Sequence, residues 1–190
     1  MERICKITVE SRRNVVSFGM SPPTLSEEEE WEEDLFTDED GSLSDLYEED
    51  LTSDAWKKNP SLPKPPPVST TNLCAFGIFS HEKDGSFRLS YEDSEITGLE
   101  GCLTTFCLSP AEMLIMLRRG PVKTCMVFES GRRHLCDYGS ELGFPSVAVH
   151  THTLSHSLSE QGGRIHVRYS VDAGGALAER NELIITVSPA

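Results

Sequence analysis

Residues 125–136 read CMVFESGRRHLC, two strand-length runs on either side of the pair Ser130-Gly131. A two-residue connection of this kind is typical of an antiparallel β-hairpin. The turn length sets the facing pairs, which are Glu129 with Arg132, Met126 with Leu135, and Cys125 with Cys136. We expect the first pair to be an exposed ion pair. For the cysteines, a redox disulfide and two small reduced core residues both remain open, and the second interpretation is favoured.

Similar short runs separated by turn residues continue along the chain after Asn72. They are LCAFGIF at 73–79, SFRLSYE at 86–92, CLTTFCL at 102–108, TCMVFE at 124–129, RRHLCDY at 132–138, SVAVHTHT at 146–153, RIHVRYSV at 164–171 and ELIITV at 182–187. Eight or more strands at this spacing indicate an antiparallel sandwich or barrel. A further strand, ICKITVES at 4–11, stands near the start of the chain. We therefore predict a first strand within 1–20, an insertion at 21–70 and a β-domain at 71–190.

The run SPAEMLIMLRRG, residues 109–120, allows two structures. Ser109, Pro110 and Glu112 occupy the positions of a helix N-terminus. The run is short, however, and its neighbours are hairpins. These features favour a strand over residues 112–118.

The predicted insertion carries almost all of the net charge. Between residues 21 and 60 there are 15 acidic residues against Lys57 and Lys58, so this segment holds −13 of the total −14 and leaves −1 for the rest. Dense like charge and many prolines predict disorder, because such a segment buries too little apolar surface to offset the entropy of ordering. Leucine and aromatic residues are interspersed among the acidic residues. Two interpretations remain open: a solvated spacer, which is favoured, and a segment within 21–60 that docks a basic partner protein.

Several classes of protein are not indicated by the sequence. The first residues lack the apolar core of a signal peptide, and no run reaches the roughly 18 apolar residues of a spanning helix, so we expect a cytoplasmic protein without membrane contact. The charge balance argues against nucleic acid as a partner. The six cysteines show no Cys-x-x-Cys spacing, so we expect free thiols and no cofactor. Because no catalytic motif is present, we do not expect an enzyme.

An ordered series of motifs resembles a known family. The motifs are YEDSEITGLEGCLTT at 91–105, Arg118-x-Gly120, MVFESG at 126–131, Tyr138 and GGRIHVRYSV at 162–171. Together they resemble the YwiB-like family, a bacterial domain family of unknown function. The resemblance implies an all-β fold, a single antiparallel calycin-like (lipocalin-type) β-barrel, here with a disordered acidic insertion after the first strand. In such a barrel Gly98 and Gly101 would lie in a rim loop and supply backbone angles that other residues resist.

Five polar residues at motif positions form the candidate site, one on each of five strands: Glu92, Thr104, Arg118, Tyr138 and Tyr169. A buried Arg118 needs a carboxylate or several hydrogen-bond acceptors, because an unpaired buried charge is very costly, and Glu92 is the predicted partner. Three roles remain open. The residues could orient a small apolar or amphipathic ligand in a cavity lined by Leu103, Thr105, Val127 and Tyr169, form a structural network that sets strand register, or lie on the surface. The predicted function is non-enzymatic ligand binding, with the protein-interaction module as the alternative.

Histidines provide the weak metal candidates. His150 and His152 share a face on a strand, and a hairpin would bring His166 near them. Apolar residues occupy the opposite phase of the same strands, which should face the core and leave the histidines outside. The pattern therefore favours exposed histidines without a metal.

Overall fold

The computed structural model describes residues 2–15, 68–139, 146–173 and 176–190. They form ten strands and one short 3-10 turn, η1 (Glu95–Thr97), between β3 and β4. The strands are β1 (Glu2–Val15), β2 (Val68–His81), β3 (Phe87–Glu92), β4 (Leu103–Leu108), β5 (Leu114–Arg119), β6 (Lys123–Phe128), β7 (Arg133–Gly139), β8 (Ser146–His156), β9 (Gly163–Ala173) and β10 (Ala176–Pro189). Within this part of the chain, no helix has the length and hydropathy needed to cross a membrane.

The ten strands close into one antiparallel barrel. From β2 to β10 each strand pairs with the next along the chain, and β1 completes the ring between β10 and β2. Val9 of β1 lies opposite Ile185 on one side and Leu73 on the other. The predicted closed antiparallel barrel and the contribution of the first strand to it are therefore confirmed.

Alternation along each strand determines which side chains enter the barrel. Cys5, Ile7 and Val9 are buried, whereas the residues between them, Lys6 and Thr8, are exposed. This period of two is the one expected of strands with one face in the core. The largest side chains that are fully buried are Phe79, Phe106, Phe128, Ile7, Leu108, Leu114, Ile165 and Ile185. Bulky apolar side chains thus occupy much of the interior.

Within the segment 109–120 a strand forms, as favoured, over Leu114–Arg119. A turn precedes β5, in which the Glu112 amide donates to the Ser109 carbonyl at 3.1 Å and the Met113 amide donates to Ser109 Oγ at 3.2 Å. Glu112 has φ of 58°, a left-handed angle that no right-handed helix contains. Ser109 therefore caps a turn, and the strand begins at Leu114 rather than at residue 112.

The predicted register of the hairpin at 125–136 is wrong by one residue beyond its tip. Glu129 and Arg132 form the expected ion pair, at 3.7 Å between Glu129 Oε1 and Arg132 Nε. In the ladder, however, Cys125 faces Asp137 and not Cys136. The shift places Cys125 on the exposed side and Cys136 in the core, so the two do not face each other.

The cause of this shift lies in the next strand. The Gly131 amide donates to the Thr151 carbonyl at 2.8 Å, and the Thr151 amide donates to the Arg132 carbonyl at 3.0 Å. The hairpin tip therefore bonds to β8 instead of continuing the ladder between β6 and β7. The extra residue on β7 also separates Met126, which is buried, from Leu135, which is exposed.

The second strand begins at Val68, three residues before the predicted boundary of the β-domain. A deletion that is meant to leave the barrel intact must therefore end no later than Pro67. Residues 16–67 lie outside the described residues. The prediction of disorder at 21–70 is wrong for residues 68–70, which belong to β2. For residues 21–67 the prediction of disorder, and with it that of a docking segment at 21–60, falls outside the described residues and stays a prediction.

Candidate functional site: a polar row inside the barrel

One ladder row crosses five consecutive strands and carries polar residues. Tyr91 of β3 pairs with Thr104 of β4, Thr104 with Arg118 of β5, Arg118 with Thr124 of β6, and Thr124 with Tyr138 of β7. Residues directly opposite each other in a ladder share one face of the sheet. Tyr91, Thr104 and Thr124 are buried, so this face is the interior. We call these five residues the polar row; for Tyr138 only the backbone is described.

A buried carboxylate completes the row. The side chain of Asp93 is 1% exposed, and its Oδ2 accepts a hydrogen bond from the Thr104 hydroxyl. Thr104 Oγ1 in turn accepts from Arg118 Nε at 3.2 Å, and Arg118 Nε lies 4.0 Å from Asp93 Oδ2. Thr104 therefore bridges the guanidinium and the carboxylate, and the opposite charges lie close enough to offset part of their desolvation.

Asp93, and not the predicted Glu92, is thus the partner of Arg118. Glu92 pairs with Leu103, and both are exposed on the outer face. Because side chains alternate along a strand, a residue next to the buried Tyr91 must point outward, and Asp93 after it points inward. Counting in twos from Leu89 and Tyr91 would have identified Asp93 from the sequence.

The connection from β3 to β4 holds Asp93 at the barrel rim. The Asp93 amide donates to the Cys102 carbonyl at 2.8 Å. The Thr97 hydroxyl donates to the Ser94 carbonyl at 2.7 Å and lies 3.3 Å from Asp93 Oδ1. Gly98 and Gly101 have φ of 68° and 76°, as predicted for this loop. The remaining acids of the loop, Glu95 and Glu100, are exposed. Of the acidic residues in this connection, Asp93 is therefore a buried carboxylate, whereas Glu95 and Glu100 are exposed to solvent at the rim.

Burial raises the pKa of the Tyr91 hydroxyl, and the negative charge of Asp93 raises it further, whereas Arg118 opposes the change. Tyr91 is therefore a neutral phenol at physiological pH. In this state its hydroxyl can donate a hydrogen bond beside the guanidinium.

Arg118 retains hydrogen-bonding capacity. Its side chain is 19% exposed, and its hydrogen bond within the described residues runs from Nε to Thr104. On the next strand, Thr124 Oγ1 is buried and has no hydrogen-bond partner among those residues. Two terminal guanidinium nitrogens and one hydroxyl are thus available at the same end of the barrel.

The comparisons with known proteins agree with this architecture. A family model described as a domain of unknown function (DUF1934) matches residues 66–185, more than half of the chain. The chain belongs to this family. The matched part of this DUF1934 member runs from just before β2 into β10 and so contains the whole polar row. None of the curated proteins matches the sequence significantly.

A solved structure shows the same fold. The crystal structure of the YwiB protein from Bacillus subtilis is similar to this DUF1934 member with a TM-score of 0.62 and 14% sequence identity. The likeness covers 98% of this chain and 93% of that chain. The predicted resemblance to the YwiB-like family is therefore confirmed. At this identity the likeness shows the fold and no ligand or activity.

Tyr169 does not belong to the polar row. It pairs with Thr151 and Asn181, and its ring packs edge-on against Phe128 at 4.9 Å between centroids. Phe128 lies four residues from Thr124 along β6, about 13 Å at the strand rise. Tyr169 is thus an apolar packing partner in a different layer of the barrel.

Three of the predicted cavity-lining residues occupy the outer phase of their strands. Leu103 is exposed, and Thr105 exchanges a hydrogen bond with Ser90 at 3.0 Å between hydroxyl oxygens. Val127 lies between the buried Met126 and Phe128. The expectation that these residues line an interior cavity is wrong, because each neighbours a residue that points inward.

The candidate metal histidines do not converge. The rings of His150 and His152 contact each other at 4.6 Å between centroids, whereas His166 Nε2 lies 2.8 Å from Glu182 Oε1. A register shift between Thr151 and Thr153 makes His152 an extra residue in β8. Among the described residues, no three His, Cys, Asp or Glu side chains are close enough to hold a metal ion.

We expect His152 to make the fold sensitive to acid. Burial lowers the pKa of His152, and the charges of His150, Arg168 and Arg180 lower it further. As the pH falls through about 6.5, the unfolded chain therefore takes up this proton before the folded chain does, and stability falls. In His152→Gln the loss of Tm between neutral pH and about pH 5 should be smaller than in the wild type, measured by circular dichroism. Equal losses in both proteins would contradict this assignment.

Proposed function

We propose that this barrel is a non-enzymatic binding protein that holds a small organic acid at the polar row. The observation that supports the proposal is the state of Arg118, a largely buried guanidinium whose bond to Thr104 uses only Nε. A guanidinium binds a carboxylate through two parallel N–H donors, and the terminal nitrogens of Arg118 can supply them.

The surrounding residues favour a small anionic head group. Asp93 and Thr104 hold Nε, which orients the guanidinium plane before a ligand arrives. Thr124 Oγ1 offers a further polar contact on the adjacent strand. Because bulky side chains such as Phe106 are buried within the barrel, the ligand's apolar part is short and stays at this end.

A structural role for the same network is compatible with this proposal. The bonds from Arg118 to Thr104 and from Thr104 to Asp93 link β5, β4 and the rim loop, and they stabilise the register of these strands. Such a role accounts for the hydrogen bond of Arg118 Nε, but it does not account for the buried hydroxyl of Thr124, which has no partner among the described residues. A buried hydroxyl without a partner costs about 1–3 kcal/mol, so its retention supports an additional partner at this place.

Thermal-shift titration with butyrate tests the proposal. Butyrate should raise the Tm with a saturating dose dependence, since a ligand at 100-fold its Kd stabilises by about 2.7 kcal/mol. Butanol lacks the carboxylate and should give no saturable rise. Sodium chloride at equal ionic strength controls for screening.

Two variants locate the binding. Thr124→Val keeps the shape of the side chain, and Arg118→Lys keeps the charge but removes the two-pronged donor. Both should fold and should require more butyrate for the same shift in Tm. If butyrate acts no differently from chloride, or acts equally on both variants and the wild type, the proposed site is wrong.

A further inference from the structure

The outer face of β1 and β2 carries an exposed apolar strip. Ile4, Phe76 and Ile78 are 69%, 70% and 49% exposed, respectively. Ile4 and Ile78 are a directly facing pair, and Phe76 lies two residues from Ile78 on the same face of β2. We call these three residues the apolar strip. Large apolar side chains that are contiguous on a surface are typical of interaction sites.

Opposite charges flank this strip across β2. Lys6 of β1 lies directly opposite Phe76. On the other side, Gly77 pairs with Tyr91, so the antiparallel register places Glu92 beside Phe76. The row through Phe76 therefore carries a positive residue on β1 (Lys6), an apolar residue on β2 (Phe76) and a negative residue on β3 (Glu92).

A second row near the end of β2 has the reverse order. Glu2 of β1 pairs with Ser80, and Ser80 pairs with Arg88 of β3. This row reads negative on β1 and positive on β3. Lys6, Glu92, Glu2 and Arg88 are exposed, and none makes an ion pair with another described residue.

We propose that the apolar strip is the centre of a homodimer interface whose two-fold axis runs along β2. Rotation about this axis exchanges the β1 and β3 sides of the facing copy. Lys6 of one copy then meets Glu92 of the other, and Glu2 meets Arg88, each twice. Phe76 and Ile78 pack against the same residues of the second copy at the centre, as a self-complementary interface requires. Facing sheets pack with nearly aligned strands, which this axis permits.

Other two-fold arrangements of the same surface differ in their charge contacts. An axis across β2 at Phe76 would place Lys6 on Lys6 and Glu92 on Glu92, which is repulsive. An axis across β2 at Ile78 would pair Lys6 with Glu2 and Glu92 with Arg88, but it would separate the two Cys74 residues by about 26 Å at the strand rise, so the cross-link below distinguishes it from the proposed axis. A partner that is not a copy of this chain would not explain why the charges on the β1 and β3 sides of β2 are opposite in both rows. The charge order therefore supports a second copy of this chain as the occupant.

Cross-linking of the full chain tests the orientation. Cys74 is exposed on β2, in the same phase as Phe76 and Ile78. The proposed axis places the two Cys74 thiols opposite each other, so a short bismaleimide should give a covalent dimer at high yield. Cys74→Ala should remove this product, whereas Cys125→Ala, which removes an exposed thiol on β6, should not. A cross-link that survives Cys74→Ala, or the lack of any, overturns the arrangement.

Sedimentation equilibrium with charge reversals tests the pairing. Lys6→Glu and Glu92→Lys should each weaken the dimer on the order of tenfold, because two rim attractions become repulsions. The double variant Lys6→Glu/Glu92→Lys should recover most of the loss. Phe76→Asp should leave only monomer, with an unchanged circular dichroism spectrum as the control for folding.

A monomer at every concentration of wild-type protein would overturn the proposal. So would a double variant as weak as its parents, because that result excludes contact between position 6 and position 92. A dimer that tolerates Phe76→Asp would place the interface elsewhere.

Discussion

Replacing Arg118 by Met should lower the free energy of unfolding by about 3 kcal/mol, because it leaves the charge of Asp93 buried without its partner. The Asp93 side chain is almost inaccessible and keeps the hydroxyl donor of Thr104. This donor places the expected loss at the low end of the range for a broken buried pair. Urea denaturation followed by circular dichroism measures the change.

The adjacent arginine provides a matched control. Arg119 lies on the same strand but faces outward and is exposed, so Arg119→Met should change stability by less than about 0.5 kcal/mol. The double variant Asp93→Asn/Arg118→Met should recover part of the loss, since no uncompensated charge then remains. If Arg118→Met were as stable as Arg119→Met, the interior ion pair would not exist as described.

Truncation of Phe128 to Ala should cost about 3–5 kcal/mol, the largest effect that we expect from a single apolar substitution. Phe128 is fully buried and forms an edge-to-face pair with Tyr169. The substitution therefore removes buried area, leaves a cavity and breaks an aromatic contact. Urea denaturation at constant pH gives the loss directly.

Leu135 supplies the control for this second substitution. It is 82% exposed, so Leu135→Ala should stay within about 0.5 kcal/mol of the wild type. Under the register predicted from the turn alone, Leu135 would face the buried Met126 and its truncation would be costly. Comparable losses for Phe128→Ala and Leu135→Ala would therefore contradict the observed register.

Much of the fold could be predicted from local patterns. Strand-length runs, turn residues between them and alternating polarity indicate an antiparallel barrel, and these features depend on neighbours within a few residues. Thr104, Arg118 and Tyr138 were candidates for one polar cluster, and the ladder places their backbones in one row. The metal candidates required distances between strands, which alternation does not supply. The outward phase of Leu103, Thr105 and Val127, by contrast, follows from alternation beside the buried Thr104 and Phe128.

Two predictions were wrong for different reasons: the choice of Glu92 as the partner of Arg118, and the register of the hairpin at 125–136. Asp93 could have been identified by counting outward from Tyr91, because period two holds to the end of β3. The register shift of the hairpin could not have been identified in this way, since its cause is a pair of backbone hydrogen bonds from the hairpin tip to Thr151. That residue is 20 positions from Gly131 along the chain, and no local rule connects them.

The sequence by itself determined which residues alternate between water and core, and hence the strands, their antiparallel order and the separate acidic segment between the first two. These properties follow from side-chain polarity and turn chemistry, which act over a few residues. Only the tertiary structure decided that Asp93 meets Arg118 through Thr104, that Cys125 and Cys136 lie on opposite faces, and that charges change sign across β2. Such contacts depend on the register between strands, and closure of the barrel sets that register cooperatively.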